Sequence, residues 1–409
     1  MLNIKTFFQH SSIIKIVFFG FLLRLAFFFF LPQEFGDTQT FQRIGEEIFS
    51  FNIVNSTLHM PGYGIWIYIT NFLSQNDFGY IIGDILLSTF TIFIIYFLTQ
   101  EIFDNTNIAK ISAIIFAIYP FSIFYSISGL TETLFVFLFF SAVLLLYKEK
   151  IIFSFILFIL SIYVKSTADI ISPFIIIIFF LVTKKFTFKR TFYYLSLYFL
   201  VYIILLSPWW FHNFIKYNSF VKLNLAANYH LYSGNNPKNK TGGGIGGIDV
   251  DHTVVTKNEN IDLLKIDKKY KEEAIKFIKE NPYIAAELSL KKFIRFWNLY
   301  PYKIPQEYIP KDIDYLDAFN AKEYNKIEYK IISIISYGLI LFLSLIFVIF
   351  FSKKNLKKIL PFLTMIFLLT FIHIVTIASI RYRYPIEPIL IIFASFVINK
   401  ILIEKKIIK

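Results

Sequence analysis

Ten long apolar stretches constrain this chain more than any other feature of its sequence. A helix needs about 20 mostly apolar residues to cross the hydrocarbon core of a bilayer. Only 17% of the residues are charged, against roughly 25% in ordinary soluble domains. The sequence therefore predicts an all-α polytopic membrane protein with about ten transmembrane helices. The stretches lie at about 12–31, 79–100, 108–126, 130–147, 151–164, 168–183, 192–207, 329–351, 359–379 and 384–403.

The positive charges between these stretches predict how the helices are oriented. Cytoplasmic connections of membrane proteins carry an excess of Lys and Arg. With the N-terminus inside, the inner connections and termini hold 17 Lys or Arg, whereas the short outer connections hold four. This asymmetry predicts a multi-pass protein of the cell inner (plasma) membrane with both termini in the cytoplasm. The excess of Lys and Arg over Asp and Glu is then expected to contact membrane lipids, and no nucleic-acid partner is expected.

The first segment outside the predicted membrane core is 32–62, on the outer face. Within it, Phe41, Ile44, Ile48 and Phe51 recur at helical spacing between charged residues. An apolar stripe opposite a charged face is typical of a helix that lies in the membrane interface. The segment therefore predicts an amphipathic helix on the outer membrane surface.

The second outer segment, 208–328, is long enough for a small mixed or helical domain. Asn281 followed by Pro282 predicts a helix start, and the helix should run to about Trp297. The Gly-rich stretch 241–247 lacks the Gly-Lys-Ser/Thr ending of a phosphate-binding loop, so we expect a mobile loop. The sequence therefore predicts three regions. They are a transmembrane core with the first outer loop (1–207), an outer-face loop domain (208–328) and the C-terminal transmembrane helices (329–409).

Cysteine and histidine limit the chemistry that is available. The chain contains no Cys, which excludes disulfides, thiolate metal ligands and a Cys nucleophile. His59, His212 and His373 are isolated in sequence, and no His-x-x-x-His spacing occurs. The sequence therefore gives little support to a metal site.

Asp37 follows the first apolar stretch and has two interpretations. Asp is a good N-cap, and a helix beginning near Thr38 would use it. A carboxylate at the outer membrane interface is also well placed to take a proton from an acceptor. The two roles are compatible with each other.

Charges inside the apolar stretches need partners or a wet cavity, because an isolated charge in hydrocarbon is costly. Arg24 should lie about 10 Å below the outer surface, at 1.5 Å per helical residue. Asp84 and Asp169 are candidate partners for Arg24. A structural ion pair and a ligand-binding role remain open.

Cations at outer turns could bind an anion or anchor the helices in lipid. Arg381 and Arg383 can form paired bonds to phosphate oxygens, or they can snorkel to lipid head groups. Lys165 has the same two interpretations. Glu132 starts the fourth stretch, where it suits either the helix dipole or a polar cavity.

Several motifs together resemble the superfamily C glycosyltransferases, which use polyprenyl-phosphate sugars. The closest resemblance is to glycosyltransferase family 39, the group of protein O-mannosyltransferases and aminoarabinose transferases. The motifs run in order over nearly the whole chain. They are Asp37-Thr38-Gln39-Thr40-Phe41, His59-Met60-Pro61-Gly62-Tyr63-Gly64, Tyr119-Pro120 with Leu130-Thr131-Glu132-Thr133-Leu134-Phe135, Pro208-Trp209-Trp210-Phe211-His212-Asn213-Phe214, Gly234-Asn235-Asn236-Pro237, and Arg381-Tyr382-Arg383-Tyr384-Pro385-Ile386-Glu387-Pro388.

This resemblance implies inverting transfer of a sugar from a polyprenyl-phosphate donor to an acceptor hydroxyl on the outer face. Asp37 would act as the general base, and Arg381, Arg383 and Lys165 would hold the donor phosphate. The acceptor could be a lipid, a glycan or a protein, and a divalent metal is optional across the superfamily. The residues expected to line the substrate cavity are Arg24, His59, Tyr63, Asp84, Glu132, His212 and Asn235.

The motifs depart from the family pattern at four positions, which leaves donor and acceptor identity open. His212 and Lys165 stand where Arg is common, and Met60 and Gly64 each replace a Pro. Two other classes remain as alternatives, namely a secondary transporter of a polar solute and a glycan polymerase or ligase. Against a transporter, the two halves show no repeat and 208–328 is placed asymmetrically.

Overall fold

The computed structural model describes residues 4–31, 36–182, 187–244, 249–250, 262–300 and 327–405, which are predominantly helical. No β-strand occurs among these residues, so the predicted helical class is confirmed for them. The chain forms two compact units. The first unit comprises Met1–Trp209, Leu339–Met365 and Pro385–Lys409, and the second comprises Trp210–Gly338 and Ile366–Tyr384.

Helices make up most of the described part of the first 300 residues, and several of them follow the predicted apolar stretches closely. In chain order they are α1 (Ile4–Phe27), α2 (Gly36–Phe49), α3 (Gly62–Ser74), α4 (Gly79–Phe103), α5 (Thr106–Ile118), α6 (Pro120–Tyr125), α7 (Glu132–Tyr147), α8 (Ile151–Val164), α9 (Ala168–Val182), α10 (Phe188–Tyr217), α11 (Ala226–Gly234), α12 (Leu263–Glu280) and α13 (Pro282–Trp297).

One predicted stretch, 108–126, is divided into two helices. Tyr119 adopts an extended conformation and ends α5, and Pro120 opens α6 at its first position. Proline fits the first turn of a helix but cannot continue one without losing a hydrogen bond. The break therefore falls where the sequence places its proline.

The C-terminal helices differ from the expected pattern at 352–358, where we predicted a cytoplasmic connection. Helical structure continues through these residues, because two π-helical turns join three of the helices without a loop. Lysine is a good helix former, and neither Gly nor Pro occurs between residues 352 and 360 to stop the helix. The elements are α14 (Ile327–Ser333), the π turn Ile334–Gly338, α15 (Leu339–Ile346), the π turn Phe347–Phe351, α16 (Ser352–Val375), α17 (Ile380–Arg383) and α18 (Glu387–Glu404).

Four helical segments among the described residues are long and apolar enough to cross a membrane. They are Gly79–Phe103, Phe188–Tyr217, Lys330–Val375 and Ile380–Glu404. The apolar helices α5, α7, α8 and α9 are shorter, with 13 to 16 residues each. Membrane-spanning potential is therefore present, while the number of ten spans remains a prediction.

The connections predicted to be cytoplasmic gather at one end of the first unit. Tyr147, the last residue of α7, donates to the carbonyl of Lys358, and the Lys358 ammonium lies 3.3 Å from the Glu101 carbonyl oxygen. The rings of Phe103 and Phe396 are 5.0 Å apart at this end. Helix α7 is about 24 Å long at 1.5 Å per residue, so its first residue, Glu132, lies at the opposite end.

Helix α2 packs its apolar face against α3, and its position on the outer membrane surface stays a prediction. Phe41 and Ile44 are buried, and the Phe41 ring meets the Tyr63 ring edge-on at 5.3 Å. Gly45 lies so close to Gly64 that an added Cβ would collide with the Gly64 carbonyl oxygen. Phe51, which we placed on the same apolar face, lies beyond the helix and is 97% exposed.

In the second unit, α13 starts and ends as predicted, but its cap differs. The Asn281 side chain does not cap α13 and instead donates to the Phe277 carbonyl oxygen at 3.2 Å. The described part of the Gly-rich stretch, 241–244, is also tightly held rather than mobile. The Asp249 carboxylate accepts from the Thr241 hydroxyl at 2.6 Å and from the Thr241 amide at 3.2 Å. Residues 245–247 of that stretch lie outside the described residues.

Candidate functional site

Asp37 lies in the first turn of α2, partly exposed. The helix begins at Gly36, so Asp37 is inside the helix rather than at the predicted N-cap. The next residue, Thr38, is buried and donates to the Gly129 carbonyl oxygen at 3.0 Å. This bond fastens the start of α2 to the turn that leads into α7.

The same turn carries a buried ion pair. Glu132, the first residue of α7, is 0% exposed, and its Oε1 lies 2.7 Å from the ammonium of Lys165. Lys165 ends α8, and its side chain is 16% exposed. A buried carboxylate needs such a partner because desolvation of an unpaired charge is costly. Three sequence-predicted residues, Asp37, Glu132 and Lys165, are thereby brought to one end of the first unit.

Tyr63 connects this end to a carboxylate in the helix core. Its hydroxyl donates to Asp84 Oδ2 at 2.6 Å, and Trp66 Nε1 donates to Asp84 Oδ1 at 2.9 Å. The Phe41 ring also contacts His59, at 5.0 Å between centroids. The substrate-cavity candidates His59, Tyr63 and Asp84 therefore lie along the α2–α3–α4 packing.

The start of α3 also reaches the end of α8. An added Cβ at Gly62 would collide with the Tyr163 backbone, two residues before Lys165. The first glycine of the 59–64 motif is therefore required for close approach. The start of α3 and the end of α8, which Lys165 follows, pack together for this reason.

Arg24 is a fully buried structural donor. Its guanidinium donates to the hydroxyls of Ser88 at 2.8 Å and Ser122 at 3.0 Å. It also donates to the carbonyl oxygens of Gly20 at 2.9 Å and Ala117 at 3.0 Å. These bonds join α1 to α4 and to the α5–α6 junction.

The two carboxylates proposed as partners of Arg24 accept hydrogen bonds from other side chains. Asp84 accepts from Tyr63 and Trp66, as described, and Asp169 accepts from the Tyr202 hydroxyl at 2.5 Å. Serine hydroxyls and helix-end carbonyls are acceptors for the Arg24 guanidinium. This pattern favours a structural role for Arg24 over the cavity role.

The two arginines of the Arg-Tyr-Arg motif, both in the second unit, have different surroundings. Arg383 is fully buried, donates to the carbonyl oxygens of Phe296 and Asn298, and lies 3.4 Å above the Tyr337 ring. Arg381 is partly exposed. The sequence motif does not distinguish the two arginines, but their burial in the structure differs.

Asn235 marks a polar cluster that sequence reasoning found only in part. Its amide donates to the carbonyl oxygens of Leu231 and Val375, both at 2.8 Å, and its Oδ1 accepts from Lys292 at 2.9 Å. Lys292 is 0% exposed, and its burial lowers the pKa of the ammonium from 10.5 to about 7.

A sequence signal for Lys292 was present. Ala285, Leu288, Lys292 and Phe296 are the buried residues of α13, so the lysine occupies the apolar stripe at helical spacing. A lysine in that stripe is unusual enough to mark a buried polar site.

A second pair missed at the sequence level joins Tyr119 to Glu387. Both side chains are buried, and the Tyr119 hydroxyl donates to Glu387 Oε2 at 2.8 Å. Both residues lie in motifs that resemble the family pattern, but neither is among the predicted site residues. His212, which was selected, lies at the end of α10 with its Nδ1 3.4 Å from Asn213 Oδ1.

A metal site receives no support from the described residues. Within the ranges given above, no three His, Cys, Asp or Glu side chains are grouped so that they could hold an ion.

Comparisons with known proteins bear on the family and the fold. Residues 59–212 match the family profile described as dolichyl-phosphate-mannose-protein mannosyltransferase. This range contains His59, Tyr63, Asp84, Glu132 and Lys165, but not Asp37. A search of curated protein sequences gives no significant match.

Solved structures with a similar fold come from the archaeon Archaeoglobus fulgidus. The oligosaccharyltransferase AglB in complex with an inhibitory peptide and a dolichol-phosphate has a TM-score of 0.57 and 13% identity, covering 98% of this chain and 51% of that one. Its apo form gives 0.57 and 13%, covering 97% and 51%. The form with Zn and sulfate gives 0.57 and 14%, covering 96% and 49%. This chain thus spans about half the length of those proteins, and the resemblance to superfamily C is confirmed.

Proposed function

We propose that this protein is an integral membrane glycosyltransferase that transfers a sugar from a polyprenyl-phosphate donor to an acceptor hydroxyl. One observation carries the proposal, namely the Thr38–Gly129 bond, which places the Asp37 turn beside the segment of the Glu132–Lys165 pair. A carboxylate and a cation near one another are what such a transfer needs. The family match and the superfamily C fold support the same reaction.

In the proposed reaction, Asp37 accepts the proton of the acceptor hydroxyl as its oxygen attacks the anomeric carbon. The bond from that carbon to the phosphate oxygen breaks, and the polyprenyl phosphate leaves with the electron pair. Attack opposite to the leaving group inverts the anomeric configuration. At the end of the step Asp37 carries the proton, the acceptor oxygen carries the sugar, and the phosphate remains on the polyprenyl lipid.

The leaving phosphate gains charge, and fixed cations stabilise such a charge strongly in a low-dielectric site. Lys165 is held in place by Glu132, and an ammonium with three donors can bond to both a carboxylate and a phosphate. Arg381 is the second candidate, because it is partly exposed whereas Arg383 is buried against carbonyls. Lys165 is thus the proposed donor-phosphate ligand of the first unit, and Arg381 is the candidate that the second unit offers by itself.

The proposed topology places this chemistry on the outer face of the cell inner membrane. The charge asymmetry of the connections puts both termini in the cytoplasm. The gathering of Glu101, Tyr147 and Lys358 at one end of the first unit, opposite Glu132, supports this alternation. The proposed partners are a lipid-borne donor, membrane lipids and a lipid, glycan or protein acceptor.

The rival functions make different demands on the same residues. A transporter path would use Arg24, but Arg24 is occupied by hydroxyls and carbonyls that join helices. A glycan polymerase or ligase would share the lipid-phosphate chemistry and differ in the size of the group moved. The observations therefore favour transfer over transport.

The test is turnover of defined polyprenyl-phosphate sugars by purified protein, with mass analysis of the released polyprenyl phosphate. We expect release from at least one monosaccharide donor and an inverted linkage in the product. Uptake of a polar solute into proteoliposomes without any bond cleavage would instead establish a transporter.

A further inference from the structure

Helix α13 has two apolar faces, and only one of them is buried. Leu288 and Phe296 lie on the buried face. Leu290, Phe293 and Ile294 lie on the opposite side, at the i, i+3 and i+4 spacing that gathers side chains on one face of a helix, and all three are exposed. We call these three residues the open face. A contiguous apolar face that the fold leaves exposed marks an interaction surface.

The open face has a charged edge and an aromatic end. Glu287 and Lys291 are both exposed and form an ion pair along that edge, with 2.8 Å between Lys291 Nζ and Glu287 Oε1. Trp297 follows Phe293 by one helical turn and is partly exposed at the end of α13. An apolar face with a charged edge is typical of a helix in the membrane interface, where Trp is also enriched.

The buried face of α13 is seated on the end of a segment that is long enough to cross a membrane. That segment, Lys330–Val375, ends where α16 ends. The Lys292 ammonium lies 3.4 Å from the Val375 carbonyl oxygen, and the Phe296 ring stacks on the His373 ring at 5.6 Å. Under the predicted topology, α13 therefore lies at the level where the hydrocarbon core ends.

Helix α16 carries an exposed apolar stripe up to the same end. Phe367, Phe371 and Val375 are exposed at four-residue spacing, and they belong to the second unit together with α13. A membrane span that is apolar on all sides presents to lipid the side that protein does not cover. Lipid therefore reaches the end of α16 on which α13 is seated.

A second copy of the chain or another protein would need a larger surface than the open face. A stable protein interface takes about 20–30 residues from each partner, whereas the open face consists of three large side chains beside an exposed ion pair. An amphipathic helix enters the membrane interface to a depth of about 5–10 Å, and a single apolar stripe is sufficient for this.

We propose that the open face of α13 lies in the bilayer interface and holds Arg381 at the level of the lipid phosphates, the second part resting on the proposed transferase function. The Arg383 guanidinium donates to the carbonyl oxygens of Phe296 and Asn298, which joins α17 to the end of α13. Arg381 belongs to the same short helix. A lipid-borne donor carries its phosphate at the head-group level, so a cation held there can bind the phosphate while the lipid chain stays in the membrane.

The lipid contact is tested by power-saturation EPR on the full chain in phosphatidylcholine nanodiscs. The chain contains no Cys, so one introduced cysteine takes the nitroxide label. Leu290→Cys and Ile294→Cys probe the open face, Phe367→Cys is the lipid control, and Glu272→Cys in α12 is the water control. Leu290 is 59% exposed, Phe367 65%, and the Glu272 side chain 62%. We expect the ratio of oxygen to water-soluble nickel collisions at both open-face positions to exceed that at Glu272 at least about threefold.

Two results would overturn the lipid contact. A collision ratio at the open face equal to that at Glu272 would place the face in water. Labels shielded from both oxygen and nickel would show that protein covers the face, and dipolar broadening between labels would identify that protein as a second copy. The EPR measurement needs no turnover, so intact lipid contact with no donor turned over would count against the transferase alone.

The holding of Arg381 is tested by comparing a long-chain polyprenyl-phosphate donor in nanodiscs with a short-chain, water-soluble analogue. Leu290→Asn and Ile294→Asn, each alone, should raise KM for the long-chain donor severalfold. KM for the soluble analogue and both kcat values should stay near wild type, and Glu272→Gln should change none of these values. An unchanged KM for the long-chain donor, or an equal rise for both donors, would exclude this role of the open face.

Discussion

At the residue scale, a single substitution can tell whether Asp37 only stabilises the start of α2 or also acts as the general base. Asn matches Asp in helix-terminal hydrogen bonding, but it cannot accept the acceptor's proton. Asp37→Asn should therefore lower turnover by roughly 10²–10⁴ while the melting temperature stays unchanged. Turnover and thermal unfolding of the same preparation check this.

The control for Asp37→Asn is Asp104→Asn. It makes the same chemical change at the residue that directly follows α4. It should leave both turnover and melting temperature at wild-type values. Turnover of Asp37→Asn within a few-fold of wild type would remove the base assignment. Glu132 and Asp84 would then be the next carboxylates to replace.

The two arginines of α17 should respond differently to the same substitution. Arg381→Lys should lower turnover by roughly 10²–10³, because a point charge cannot copy a paired guanidinium–phosphate contact. Arg383→Lys should lower the melting temperature, because the buried guanidinium bridges two carbonyls and lies over Tyr337. A melting temperature unchanged in Arg383→Lys, together with lost turnover, would return Arg383 to the phosphate site.

Lys292 makes stability depend on pH in a defined direction. Its folded-state pKa, about 7, lies below the unfolded value of 10.5, so between these values the unfolded chain binds the proton and the folded chain does not. The free energy of unfolding should therefore rise with pH from about 7 to 10.5, by up to roughly 1.4 kcal/mol per pH unit. Below pH 7 both states are charged and the penalty is constant.

Lys292→Met should remove that slope, which thermal unfolding between pH 7 and pH 9.5 will measure. The neighbouring Lys291 is the matched control, because it is exposed and pairs with Glu287 at 2.8 Å. Lys291→Met should keep the wild-type slope. Equal slopes in wild type and Lys292→Met would mean that another group titrates.

At the element scale, the position of α2 depends on glycine at the α2–α3 contact. Gly45→Ala places a methyl group against the Gly64 carbonyl, and overpacking of this kind costs about 1–3 kcal/mol. Because α2 also carries Asp37, turnover should fall together with the melting temperature. Thermal unfolding and turnover of one preparation measure both.

Gly36→Ala is the control within the same helix. Among the described residues, a Cβ at Gly36 meets no atom within 4 Å, and alanine favours a helix over glycine. This variant should be as stable as wild type and active. If Gly45→Ala is equally stable and active, the contact does not set the position of α2.

The elements also show why the apolar face of α2 meets another helix, while the position of α2 at the membrane surface stays a prediction. The apolar spacing of Phe41 and Ile44 correctly indicated a helix with one buried face. That spacing is the same whether the face meets lipid or another helix. The partner was decided by α3, whose Tyr63 and Gly64 fit against that face.

At the scale of the whole molecule, the topology can be tested without knowing the substrate. Reporter fusions after residues 150, 190 and 358 should report the cytoplasm, because these positions follow Lys- or Arg-rich connections. Fusions within 240–260 should report the outer side. An inverted result for the 240–260 fusions would reverse the orientation and move the proposed catalytic end to the cytoplasm.

The sequence alone determined the helical class, most helix positions and several site residues. Helix location depends on residues within one stretch, so the apolar runs were sufficient to place α4 and α7 to α9 closely, whereas the break at Pro120 was not predicted. The motifs pointed to Asp37, Glu132 and Lys165 before any contact among them was known. Each of these signals is local to one segment, which is why it can be read along the chain.

Only the tertiary structure decided which of these residues meet. The Glu132–Lys165 pair joins positions 33 residues apart, and the Thr38–Gly129 bond joins positions 91 apart. Local pattern cannot distinguish Arg381 from Arg383, or reveal that Lys292 lies against Asn235, because burial depends on what packs from elsewhere in the chain. Burial and hydrogen-bond partners determine whether such a side chain is charged and whether it can reach a substrate. The packing therefore decides which of these side chains are structural and which can react.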